Sequence, residues 1–144
     1  MGFRSVLAAA VAMLAAVPAL AQTKPIRIGV LNDQSGVFAD YQGEGSVIAA
    51  RLALEDFGGK VGQGPGATPV EVVSADHQNK TDIGLAIARR WFDQDGVDAI
   101  VDVPNSAIAL GVAALARDKN RVFIGSGAGT AELTGRQCSP NTVH

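Results

Sequence analysis

The sequence predicts an α/β protein built on an open, doubly wound parallel sheet. Two observations predict it. Four short apolar runs rich in β-branched residues alternate with three segments of helical periodicity, and each run ends in a polar or glycine-rich stretch. Because consecutive parallel strands need a crossover that returns over the sheet, the helices are expected on both faces.

Residues 26–31, with Pro25 just ahead, read as a buried strand. Residues 32–42 interrupt the pattern. From about residue 43 to 57, Val47, Ile48, Leu54 and Phe57 recur at helical spacing opposite Glu44, Arg51 and Glu55, and Gly58 and Gly59 stop the helix. Residues 58–69 hold five glycines and two prolines, which predicts an irregular surface loop. Residues 70–75 form the second expected strand. A helix follows over residues 81–94, with Ile83, Ile87 and Trp91 inward and Gly96 as its C-terminal cap. Residues 99–103 are the third strand, Pro104 and Asn105 turn the chain, and Ser106 stands where an N-cap belongs before a helix over 107–119. Residues 122–124 are the fourth strand, and residues 131–133 begin a further helical turn.

In open α/β sheets, ligands lie beyond the carboxyl ends of the strands, beside the point where strand order reverses. This rule singles out residues 32–42, 76–80, 104–107 and 125–130.

The first 21 residues have the layout of a secretory signal peptide. Arg4 precedes an unbroken apolar run over residues 6–17, and the small Ala19 and Ala21 predict cleavage between Ala21 and Gln22. That run falls short of the roughly 20 residues that span a bilayer. Residues 22–144 are then expected as one domain with a modest core. The chain carries 12 basic and 14 acidic groups, and losing Arg4 leaves a net charge of about −3. A faintly acidic chain without basic clusters is not expected to bind nucleic acid. Cys138, the single cysteine, has no partner in the chain, which is unusual for an exported protein.

Catalytic patterns fail one by one. Gly125, Gly127 and Gly129 resemble part of a dinucleotide fingerprint, but the position of its last glycine is Thr130. Ser126 lacks the glycine two residues ahead that a nucleophile elbow needs, since Ile124 stands there. His77 and His144, a loop residue and the last residue, are expected to be solvated. Asp76 and His77 adjoin without a further ligand cluster, and Glu55 and Asp56 read as a solvated helix face. The expectation is a protein that is not an enzyme and uses no cofactor or metal.

Binding by backbone and hydroxyl groups remains. A cap at Ser106 would bring its hydroxyl and the first-turn N–H groups to one point, where the helix dipole favours an anion such as a carboxylate. The small residues Ser126, Gly127, Ala128, Gly129 and Thr130 would let a ligand approach the main chain. Tyr41 is placed to cover a ligand's apolar part. Taken singly, each residue is equally explained as a cap, a loop filler or a turn.

Ile26-Arg27-Ile28-Gly29-Val30, Ser35-Gly36 with Tyr41 beyond, Asp76, Asn105-Ser106 and the small-residue loop before Glu132-Leu133-Thr134 together resemble one family. It is that of the periplasmic solute-binding proteins of branched-chain amino acid ABC transporters. The resemblance runs through residues 22–144 and implies the first lobe of a type I periplasmic binding protein fold, left incomplete. It implies that Ser106, Gly127, Ala128 and Gly129 hold a ligand carboxylate, that Asn105 belongs to the same ligand-binding site and that Tyr41 flanks the side-chain pocket. Gly129 stands where amino acid binders of that family often carry a threonine hydroxyl, so the implied ligands extend from branched-chain amino acids to aromatic acids, amides or urea. Implied partners are a small solute and the membrane permease subunits of an importer. A second lobe, and a partner for Cys138, would lie in a longer chain. A ligand-sensing receptor domain and a truncated product without function stay open as alternatives.

Overall fold

The computed structural model describes residues 23–144. The expected leader and its cleavage point between Ala21 and Gln22 lie outside the described residues.

The elements are β1 (Ile26–Asn32), α1 (Gly43–Phe57), β2 (Lys60–Val61), β3 (Thr68–Asp76), α2 (Thr81–Arg90), β4 (Ala99–Asp102), α3 (Ser106–Asp118), β5 (Val122–Gly125) and β6 (Thr142–Val143). They form one sheet in the order β2-β3-β1-β4-β5-β6. Every neighbouring pair is parallel except β2 with β3. The doubly wound parallel sheet expected from the alternation is present.

Two strands were not expected. Lys60 pairs with Pro69 and Val61 with Thr68, so part of the glycine-rich stretch is a small hairpin rather than an irregular loop. Two-residue strands carry no periodicity to read. The same holds for β6, where Thr142 pairs with Phe123. The second helix also differs from its expectation. It is regular only to Arg90, and Trp91–Asp95 form one wider π turn, closed by the Gly96 N–H donating to the Trp91 carbonyl. Gly96 takes the left-handed cap conformation that its position predicts (φ 67°). The wide turn carries two consecutive aromatic residues, Trp91 and Phe92, into the core.

Chain order sets the layers. From β1 the chain steps one way to β3, then back past β1 to β4 and on to β5, so right-handed crossovers put α1 on one face and α2 with α3 on the other. The core lies on the second face. There Ala88, Trp91, Ile108, Val112 and Ala116 pack on Leu31, Ile100 and Phe123.

The α1 face is sparsely filled. Of the apolar face expected on this helix, Val47 is buried and Leu54 half-buried, but Ile48 and Phe57 are 50% and 65% exposed. An apolar groove of about 400 Å³, lined by Ile26, Ile28, Ala53, Leu54, Phe57 and Val72, opens between helix and strands. Among the described residues, a single helix covers this side of a six-stranded sheet, and periodicity alone cannot report how much is laid over a helix.

Gly29 shows how closely the filled face is packed. A Cβ built there would lie 2.4 Å from Cζ3 of Trp91. Gly29→Ala should therefore force the indole or the strand aside and destabilise the chain by about 1–3 kcal/mol. Urea unfolding followed by Trp91 fluorescence measures this, and an unchanged midpoint would contradict the packing described.

Candidate functional site

Strand order reverses between β1 and β4, so the segments leaving their carboxyl ends diverge and leave a crevice at that edge. The strands end in polar residues that are not solvated. Asn32, Asp33 and His77 are fully buried and Asp102 is 3% exposed. Such groups need partners to avoid a desolvation penalty; the turn after β1 supplies those of Asp33, and two clusters supply those of the others except His77 Nε2.

The first centres on Asp102. Its carboxylate accepts from Asn32 Nδ2 (3.1 Å), Gln42 Nε2 (2.5 Å) and Ser126 Oγ (3.2 Å), and its carbonyl accepts from the Ser126 N–H (3.3 Å). Asn32 Nδ2 also donates to the Gly43 carbonyl (2.6 Å), which fixes the start of α1. One carboxylate thus ties the segments after β1, β4 and β5 together. Asp102 and Val103 hold positive φ angles of 80° and 62°, a costly conformation for a β-branched residue, and the chain turns there toward α3.

The second cluster lies after β3. Asp76 accepts from the Gln34 N–H (2.9 Å), the Gln78 N–H (2.7 Å) and the Ser35 hydroxyl (2.5 Å). Burial pushes the Asp76 carboxyl up, but the Ser35 hydroxyl, the two N–H donors and nearby His77 together hold it below its ordinary 3.8. His77, expected to be solvated, is fully buried, because its N–H donates to the Asn32 carbonyl (2.8 Å) and extends the β1–β3 ladder inward. Its Nδ1 accepts from the Asn79 N–H (3.0 Å), so the neutral ring carries its proton on Nε2. Burial holds its pKa below 6.5, prevailing over the nearby carboxylates of Asp33, Asp76 and Asp102. Asn79 Oδ1 in turn accepts from Asn105 Nδ2 (2.6 Å).

The structure corrects the cap of α3. Asn105 is the N-cap, its Oδ1 accepting from the N–H groups of Ala107 (2.9 Å) and Ile108 (3.1 Å), and Ser106 is the first helical residue. Two of the first-turn donors expected to face an anion are therefore occupied by the cap, which leaves the Ser106 hydroxyl outside it. The reason is local. Asn and Ser are both good caps, and the extended backbone at Asn105 (φ −80°, ψ 120°) decides between them.

The other expected site residues fall as follows. Tyr41 is 71% exposed on the segment after β1. Ser126 joins the Asp102 cluster. Gly127 lies against the Gln42 amide, and a Cβ there would meet Nε2 at 2.1 Å, so its lack of a side chain serves this close approach. Ala128 is buried and its carbonyl accepts from His144 Nε2 (2.6 Å). Gly129 faces open space. Thr130 caps the short 3₁₀ turn Ala131–Leu133, its Oγ1 accepting from the Glu132 N–H (3.3 Å). Among the described residues, none of the N–H groups of Gly127, Ala128, Gly129 and Thr130 donates to a protein acceptor. This run follows β5 beside the turn after β4, because Asp102 and Gly125 are paired. Glu55 and Asp56 are exposed as expected, and Cys138 is exposed and unpaired among the described residues. No group of three or more His, Cys, Asp or Glu side chains among them is placed to hold a metal.

Sequence reasoning missed Gln42, Asn79, His77 and Asp102 as organisers of this edge. A usable signal was there. Asp102 is a charged residue inside an otherwise apolar strand run, and His77 follows a strand whose neighbour also ends in polar residues.

An open α/β sheet with a polar crevice at its order reversal defines a class of ligand-binding lobes. A model of the family described as periplasmic binding protein matches residues 25–144, and the chain belongs to that family. A periplasmic binding protein from Burkholderia mallei is 47% identical, with a TM-score of 0.77 over 83% of this chain and 31% of that one. A branched chain amino acid ABC transporter periplasmic ligand-binding protein from Burkholderia xenovorans is also 47% identical, with a TM-score of 0.75 and the same coverage. A solute binding protein of an ABC transporter from Rhodopseudomonas palustris, in complex with 3,4-dihydroxybenzoic acid, is 25% identical, with a TM-score of 0.72 over 83% of this chain and 31% of that one. The chain spans about a third of the length of these solved relatives. No curated protein matches.

Asp76 sets an acid dependence. A carboxylate whose folded pKa is depressed stabilises the fold above its unfolded value and loses that contribution as pH falls through the folded one. Ser35→Ala should remove part of it, so the variant should be less stable than the parent above about pH 4, with the difference closing in more acid solution. Urea midpoints across that range test this, and a constant difference would contradict it. Asn105→Ala should cost about 1 kcal/mol through loss of the cap, read in the same assay.

Proposed function

We propose that this chain is the first lobe of an extracytoplasmic solute-binding component of an ABC importer and that its solute carries a carboxylate. The observation that carries the reading is the run of unengaged N–H groups at Gly127, Ala128, Gly129 and Thr130, beside the N-terminus of α3. Small side chains leave these donors approachable, and the α3 dipole adds positive potential at the same edge. With the Ser106 hydroxyl they offer an oxyanion several neutral donors and no competing carboxylate side chain of their own. Tyr41, exposed on the neighbouring segment, is the candidate to cover the apolar part of the solute.

Two relatives support this chemistry. One is a branched chain amino acid transport component and another is in complex with 3,4-dihydroxybenzoic acid. An amino acid and an aromatic acid share the carboxylate and an apolar body. In this reading the chain is not an enzyme and needs no cofactor. Residues 1–21 direct export and are cleaved between Ala21 and Gln22, the permease subunits of the importer are the macromolecular partners, and a second lobe in a longer chain closes over the solute. A single lobe leaves much of a ligand in water, so affinity should be weak.

Amide NMR spectra of the labelled chain, titrated with 3,4-dihydroxybenzoate and separately with leucine, test the assignment. At least one probe should shift the amides of Ser106 and of residues 127–130 in a saturable way, and Ser106→Ala should weaken binding by about tenfold, the loss of one hydrogen bond to a charged group. Binding of either probe that leaves these amides still would remove the site from this edge.

A further inference from the structure

We propose that neutral His77 is a positioning residue for the N-terminus of α3, acting through Asn79 and Asn105, and that acidification releases this hold and weakens carboxylate binding there. The ligand part of the inference rests on the site reading above. The positional part stands on geometry alone.

Each link is made by hydrogen bonds of a fixed direction. The Asn79 N–H donates to His77 Nδ1, Asn105 Nδ2 donates to Asn79 Oδ1, and Asn105 Oδ1 receives the N–H groups of Ala107 and Ile108. Only the unprotonated nitrogen can accept the first of these. Once the ring is an imidazolium both nitrogens are donors, and Nδ1–H confronts the Asn79 N–H. The turn cannot absorb this easily. Gln78 and Asn79 both sit at φ 53°, held there by the Asp76 carboxylate on one side and by His77 Nδ1 on the other. Removing the second restraint lets Asn79 leave the left-handed region, and its Oδ1 moves away from Asn105.

The surroundings let the ring take up a proton as the medium acidifies, while keeping it neutral near pH 7. It is fully buried, with Nε2 lacking any partner among the described residues. The carboxylates of Asp33 after β1, Asp76 on β3 and Asp102 on β4 act on it electrostatically and favour the imidazolium. Lys80, the cation on its own turn, points its ammonium to Gln78 Oε1 (3.3 Å). From α2 the near neighbour is Gly84, whose added Cβ would lie 3.4 Å from the His77 Cβ, and the same position meets Ile108 of α3, so neither contact is titratable. Burial opposes the proton and the carboxylates attract it.

The test is an NMR titration of the labelled chain from about pH 7.5 to 5, with 3,4-dihydroxybenzoate as the probe. The His77 ring nitrogens, the Asn79 N–H and the Asn105 side-chain amide should shift with one midpoint, below 6.5. Below that midpoint the probe's dissociation constant should rise by up to about tenfold per pH unit. His77→Asn places an oxygen that does not titrate where Nδ1 was, the natural acceptor of such a turn, and should make the Asn79 and Asn105 shifts and the affinity independent of pH over this range. Asn79→Ala, which leaves the histidine in place, should uncouple Asn105 from the titration. A His77 ring that titrates while Asn79 and Asn105 stay still overturns the proposal, as does a pH profile unchanged in His77→Asn or Asn79→Ala. If the three groups titrate together but the probe binds at no pH, the relay holds and the carboxylate reading fails.

Discussion

The structure depends on β1 being paired on both sides. Its seven residues run in register with β3 and four of them with β4, all parallel, so this strand has no free edge. Val30, Leu31, Asn32 and Asp33 are fully buried as a result. The strand that anchors the core therefore ends, inside the protein, in the amide of Asn32 and is followed there by the carboxylate of Asp33. Everything at the carboxyl edge follows from satisfying them and the polar ends of their neighbours.

The two clusters divide that task. Asp102 gathers donors from the segments after β1 and β5, while Asp33 accepts the N–H groups of Gly36 (2.8 Å) and Phe38 (3.0 Å) and shapes the segment that carries Tyr41. Asp76, His77 and Asn79 bind the turn after β3 to the cap of α3. Most of these bonds to charged or polar groups are wholly or partly buried, and there leaving a partner unmade costs more than the bond contributes. The segments of this edge are thereby cross-linked by side chains around the donors proposed to meet a solute. The unengaged N–H groups of residues 127–130 sit in front of that scaffold, which leaves them free for a ligand.

The two faces of the sheet are unequal. The face under α2 and α3 is closed by small and aromatic residues, to the extent that a side chain at Gly29 would collide with the Trp91 ring and one at Gly111 would have to displace the end of Leu85. The α1 face keeps an apolar groove, and Leu52, Val122 and Ile124 remain 43–54% exposed. Solved relatives share this lobe within chains about three times as long. The site edge belongs to the closed half through α3 and to the open half through Gln42 at the start of α1, and Asp102 is the group that joins them.

The sequence by itself determined the alternation of strands and helices, the parallel sheet and the four segments at its carboxyl edge, because periods of 2 and 3.6 and the glycine caps are local signals. It also placed Ser126 through Thr130 at that edge, since small residues after a strand are visible without a fold. It could not choose between Asn105 and Ser106 as the cap, because both residue types cap well and only the backbone angle at Asn105 separates them. Nor could it see that Gly127 is small to admit Gln42, a residue 85 positions earlier. The burial of His77, the convergence on Asp102 and the uneven cover of α1 were decided by tertiary structure alone. Each depends on which strands become neighbours, and that pairing joins residues tens of positions apart whose local sequence carries no trace of one another.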